Sequence, residues 1–141
     1  MKINILSIVI LIATTMNGMA HYPDYSKTII RKDHRGLIRS IEYTTEDKTV
    51  PIPKSSDDFF KSVLRIQSSD RFERTTHQFE KEYVHERYVQ FYNGVRVDGC
   101  GFNFHFRKGI MEFANGYYIK IDDLNTNPTI TSEEAKTSFS L

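Results

Sequence analysis

Residues 85–109 read HERYVQFYNGVRVDGCGFNFHFRKG, and the first two, His85 and Glu86, are the pair that opens a zinc-hydrolase helix. That chemistry needs His-Glu-x-x-His, because a spacing of four on a helix brings two imidazoles to one face with the Glu as base. Four residues after His85 stands Val89, and no other His-Glu pair occurs in the chain. Tyr83, Val84, Tyr88, Val89, Phe91 and Tyr92 favour strand, and Asn93-Gly94 is a strong hairpin signal. His85 is therefore expected on a strand, which excludes the zinc helix.

His85 and His105 together invite a metal reading. A two-residue hairpin at Asn93-Gly94 pairs Tyr92 with Val95 and sets His85 opposite Phe102. Alternation then places His105 on the other face, unless a bulge over residues 98–101 flips the register. Two strand histidines with structural hydrogen bonds are the expectation, with no metal. Cys100 is a candidate reactive thiol, able as a thiolate to reach zinc; the plainer reading is a small apolar filler at a tight turn. Asp122, Asp123, Asn125 and Asn127 lack the ligand spacing and the glycine of a calcium loop. The 107–113 stretch resembles a basic-aromatic RNA-binding strand, but reads more plainly as a hairpin with a charged tip. No nucleophile–base–orienter set and no phosphate loop stand out, so no catalytic residue and no cofactor are expected.

The elements that must position these residues follow from periodicity. Asp33-His34-Arg35-Gly36 reads as a turn and 37–43 as a short strand; Pro51-Ile52-Pro53 reads as an extended connector. Ser56 is the expected cap of a helix running to about Gln67, with Asp57 and Asp58 favourable in its first turn and Phe59, Val63 and Ile66 in one stripe. Residues 75–82 read as a strand, with 83–92 as its continuation or its neighbour. Asn93-Gly94, Asp98-Gly99, Lys108-Gly109 and Asn115-Gly116 are the turn signals, separating strands 95–97, 101–107, 110–113 and 117–121. Phe102, Phe104 and Phe106 alternate with Asn103, His105 and Arg107, so one face is greasy and the other polar. The expected fold class is α+β, an antiparallel sheet packed on one α-helix. Thr131 to Glu134 has the form of a capping box.

Composition narrows the partners. Lys2, the apolar run 5–13 and Gly18-Met19-Ala20 have the layout of a secretory signal over 1–20, too short in its apolar core to remain as a stable span. Lys2 is the only charge in that segment, so its removal takes the formal net charge from +1 to zero, and no electrostatic case for nucleic acid remains. Cys100 is the only cysteine, so no internal disulfide is expected, and the aromatic bulk of Phe 10 and Tyr 8 must hold the fold. The expected organisation is a signal peptide 1–20, a polar arm with one short strand 21–54, an α+β core 55–127, and a further segment 128–141. The expected location is secreted or periplasmic.

Taken in order, His85, Arg87-Tyr88, Gln90, Tyr92-Asn93-Gly94-Val95, Val97, Gly99 and His105, then Asn115-Gly116 and the SEEA of 132–135, resemble the fungalysin/thermolysin propeptide domain. That domain is the N-terminal prosegment module of thermolysin-like metalloproteases, and the resemblance also takes in Gly36, the 37–43 strand and the 59–66 helix. It implies a cystatin-like α+β arrangement and a non-enzymatic role: inhibiting or helping to fold a thermolysin-like zinc metalloprotease. It assigns His85, Tyr88, Gln90, Tyr92, Gly94, Val97, Gly99 and His105 as structural motif positions, with a small Gly or Ala usual where Cys100 stands. It also makes 128–141 the start of a second prosegment module, expected to be cut short, with no catalytic domain after it. The alternatives are a non-functional remnant of a truncated protease precursor and a stand-alone cystatin-like binding domain.

Overall fold

Alternating apolar and polar residues build the strands, and the computed structural model describes the chain over residues 26–138. The signal segment expected at 1–20 lies outside the described residues. Strands β1 (Ile29–Lys32), β2 (Ile38–Glu42), β3 (Asp70–Glu80), β4 (Tyr83–Tyr92), β5 (Val95–Arg107) and β6 (Ile110–Tyr117) form one antiparallel sheet in the order β1-β2-β6-β5-β4-β3. The fold is α+β, as expected from the pattern. Asn93-Gly94 and Lys108-Gly109 each place two successive residues at positive φ, the conformation that lets a two-residue turn follow the twist of its strands. Residues 83–92 are thus the neighbour of the preceding strand, joined to it through Lys81 at φ 54°.

The sheet is longer than alternation alone suggests. The segment read as an arm with one strand contains two, because Ile29–Lys32 pairs with β2 across the Asp33–Gly36 turn. Ile41 on β2 and the following Tyr43 enter the same core as Phe59 and Phe104. Asp98-Gly99 and Asn115-Gly116 do not end strands. The first is a bulge inside the continuous β5, and the second lies within β6. Gly116 is there for close approach: a Cβ would come within 2.1 Å of the Gly101 carbonyl oxygen and 2.7 Å of Phe102 Cα.

Between β2 and β3 the chain crosses one face as α1 (Ser56–Asp58), which continues without a break into a π-helical segment, Phe59–Leu64. The cap is Ser55, one residue earlier than expected; its Oγ accepts from the Asp58 N–H at 3.1 Å. The helical segment also ends earlier than expected, at Arg65, whose left-handed φ of 52° closes it. The wider π turn brings neighbouring residues nearer to one direction, so that Phe59 and Phe60 both face the sheet. Phe59 sits 5.3 Å from Phe102 and 5.1 Å from Phe104 between ring centroids, while Phe60 stacks on Phe72 at 4.1 Å. Ala114, opposite Phe104 on β6, leaves room for the ring. Burying each of these aromatic rings contributes about 1.5–3 kcal/mol. At the other end of the chain, α2 (Ser132–Ser138) carries the expected capping box, with Glu134 accepting from Thr131 N–H and Thr131 Oγ1 accepting from Glu134 N–H.

Candidate interaction surface

One bulge decides what the uncovered face of the sheet presents. At the turn, Tyr92 pairs with Val95 as the hairpin requires, and Phe91 with Arg96; beyond the bulge Val89 pairs with Gly101. Three extra β5 residues are absorbed over this stretch, and an odd number reverses which face each later side chain takes. His85 therefore lies directly opposite His105 rather than Phe102. The two histidines expected on opposite faces share one, and their Nδ1 atoms are 2.6 Å apart. One ring must donate to the other, so at least one is neutral in this arrangement. Burial, and then the charge of His85, holds the His105 pKa below its ordinary value. Among the described residues no cluster of three or more His, Cys, Asp or Glu side chains could hold a metal ion.

Glu86, next to His85, points the other way, toward the helix. Its carboxylate accepts from Ser56 Oγ and Tyr88 Oη, and lies 2.9 Å from both Arg74 Nη1 and His77 Nδ1. Burial works against its charge, but hydrogen bonds from Ser56, Arg74 and Tyr88 hold its pKa below the ordinary value. His85 and Glu86 thus occupy opposite faces of one strand. Glu86 fastens the helix to β3 and β4.

The remaining motif positions take structural places. Tyr88 packs edge-on against Phe60 and Phe104 at 5.2 and 5.7 Å. Tyr92 is buried at the end of β4; Gly94 and Gly99 have φ of 81° and 69°, in the hairpin turn and the bulge; Val97 is half-buried between them. Gln90 is completely buried (0 % exposed), beside the part of β5 that the ladder skips. Its amide donates to the Ile119 carbonyl at 2.7 Å and accepts from the Ile119 N–H at 3.2 Å, doing for the chain past β6 what a missing strand neighbour would do. The same amide donates to Asp70, which also accepts from Tyr118 Oη at 2.7 Å. Burial, and then the bond to Asp70, raises the Tyr118 pKa above its ordinary value. The Cys100 side chain is buried, and burial pushes its thiol up, so little thiolate is present at neutral pH and its surroundings give no support to a reactive role.

Sequence reasoning missed the feature that these placements create. A depression of about 350 Å³ opens on the uncovered face above the bulge, where Arg39 from β2, Arg87 from β4 and Arg96 from β5 converge with Asn103 and Tyr117. No linear motif announces residues drawn from separate strands; the odd glycine pair at 99 and 101 was the one available signal. Arg39 lies over the Tyr117 ring at 4.2 Å and Arg35 over the same ring at 5.4 Å.

Comparison with known proteins follows this geometry closely. The family described as Fungalysin/Thermolysin Propeptide Motif matches residues 73–118, which run from within β3 to just past the end of β6 and include every assigned motif position. No curated protein matches the chain. The motif is a propeptide motif rather than a catalytic one, and its members belong to thermolysin-like metalloproteases. Residues 73–118 of this chain carry the fungalysin/thermolysin propeptide motif.

Proposed function

We propose that the chain is an exported, propeptide-like module that binds a thermolysin-type metalloprotease as an inhibitor or folding helper. The observation carrying this reading is that the matched segment takes in four consecutive strands, β3 to β6, each paired antiparallel with the next. The helix laid across one face of that sheet is in keeping with the cystatin-like arrangement that the resemblance implies. The chemistry favours inhibition by surface contact rather than by capture of the protease's zinc. Cys100 is buried, and the His85 and His105 Nδ1 atoms face each other. Contact of this kind gives specific but short-lived complexes when the interface is below standard size.

The purified chain, added in trans, should slow a thermolysin-like protease or raise its refolding yield, with inhibition weak at micromolar concentration. Enzyme rate and module integrity should be followed together, so that slow cleavage of the module is not mistaken for relief of inhibition. A thermolysin-like enzyme from the same source that is neither bound, slowed nor better refolded at micromolar concentration would end this reading. The reading of the chain as a non-functional remnant of a protease precursor would then take its place.

A further inference from the structure

We infer that the depression above the β5 bulge is a binding site for an acidic peptide segment, recognised by the guanidinium groups of Arg39, Arg87 and Arg96. The protease as the source of that segment rests on the function proposed above; the site itself does not. Charge placement carries the inference. Arg31, Arg35, Arg71, Arg74 and Arg107 each have a carboxylate within 4.0 Å. Arg39, Arg87 and Arg96 have none among the described residues, although all three are exposed and all three line one depression. Three of the four described arginines without a carboxylate partner are thus gathered in one place, the fourth being Arg65 at the end of the helical segment, in a chain whose formal net charge is only +1. Asp98 is the one carboxylate of the lining.

The arrangement suits carboxylates. A guanidinium presents paired N–H donors that match the two oxygens of a carboxylate, and three forks around one depression can hold two neighbouring acidic side chains. Stacking on Tyr117 restrains Arg39 before any ligand arrives, which lowers the ordering cost of binding. Asn103 on the floor adds an amide that can donate to a ligand carboxylate or carbonyl. The depression exists because the bulge carries β5 out of regular pairing and because Gly101 places no side chain over the strand; a Cβ there would meet the Tyr88 carbonyl oxygen at 2.1 Å. Arg39 on β2, Arg87 on β4 and Arg96 on β5 all stand on strands of the one hydrogen-bonded sheet, which sets their spacing before a ligand arrives.

The test uses the full chain and a fluorescent hexaglutamate peptide at about 50 mM salt, where exposed charges are weakly screened. Saturable binding is expected, weakening as salt rises, and hexalysine should not bind. Arg87→Gln with Arg96→Gln should weaken hexaglutamate binding about tenfold, since each removes a charge-assisted contact. Adding Arg39→Gln should abolish it without shifting the thermal melt. Asp98→Asn should change affinity in the opposite sense, tightening binding, which a merely misfolded variant would not do. Equal affinity in the triple variant and the parent, or saturation by inorganic phosphate with no binding of hexaglutamate, would overturn the inference. A second arm separates the two readings. A protease that binds the parent and the triple variant equally would overturn the site as its docking point while leaving the proposed function standing. Arginine-dependent peptide binding with no protease bound would support the site and remove only the protease as its source.

Discussion

On the face that meets the helix, β5 and β6 present Phe102, Phe104, Phe106, Met111 and Ala114, and each is buried. On the other face the same sheet presents Arg87, Asn103, His105 and Asn115, each at least partly open to solvent. The contrast goes beyond polarity. On the covered face the rings of Phe59, Phe60, Phe102 and Phe104 make contacts that depend on shape and volume, and non-directional burial stabilises them. On the open face the meaningful contacts are particular pairs, such as His85 with His105, and each exists only in one register. Stability is concentrated on the first face; recognition, on the reading proposed above, is confined to the second.

The largest expected effect comes from moving the character of one face into the other. Phe104→Asp would bury an unpaired carboxylate among Phe59, Phe60 and Tyr88, and should unfold the domain at a cost of several kcal/mol. His105→Ala, one residue along and facing the other way, should be far milder. Circular dichroism melts that ranked the two variants in the reverse order would show that the stabilising face had been misassigned.

Gln90 sharpens the contrast, because it is a polar group on the buried side of β4. Gln90→Leu keeps the approximate volume but orphans the Ile119 N–H and carbonyl and removes a donor to Asp70. A cost of about 1–3 kcal/mol for each group left without a partner is expected. Asn103→Leu on the open face should stay within about 0.5 kcal/mol. Denaturant midpoints for the two variants test this, and equal losses would mean that Gln90 does not bridge to Ile119 in solution.

These differences explain what could be read in the chain before its structure. The greasy face of β5 follows from alternation over six residues, because period 2 is a local property of strands. Asn93-Gly94 and Lys108-Gly109 are tight turns as written, since both residues adopt positive φ. Asp98-Gly99 carries the same two-residue signal, yet only Gly99 has positive φ and the strand continues through it. The dipeptide cannot tell a turn from a bulge; what decides is whether the flanking residues find partners on both sides, a non-local property. The His85–His105 pairing and the arginine depression both hang on that one bulge, so the motif positions were legible while the surface they build was not. Ser55 as cap was lost for a simpler reason. Two serines stand together, and the second is drawn into the sheet by Glu86.

The smallest expected effect belongs to the histidine pair, and pH is the way to read it. The folded chain holds the His105 pKa below its ordinary 6.5, first through burial and then through the charge of His85. The residues beside the pair in the ladder, Gln78 on β3 and Phe113 on β6, carry no charge to offset this. A histidine with a lowered folded pKa takes up its proton more readily in the unfolded chain. Its contribution is therefore complete above 6.5 and is lost as pH falls from 6.5 toward the lowered value. Carboxylates held down in the fold, such as Glu86, lose their contribution only below 4.5, outside that window. Between pH 7.5 and 5 the denaturant midpoint of the parent chain should fall, with a slope below the one-proton limit of about 1.4 kcal/mol per pH unit. In the His85→Gln/His105→Gln variant the fall over the same range should be shallower, with the fold otherwise intact because glutamine can still donate and accept across the strands. Parallel slopes for parent and variant would place the pH dependence elsewhere and leave the 2.6 Å contact without energetic consequence.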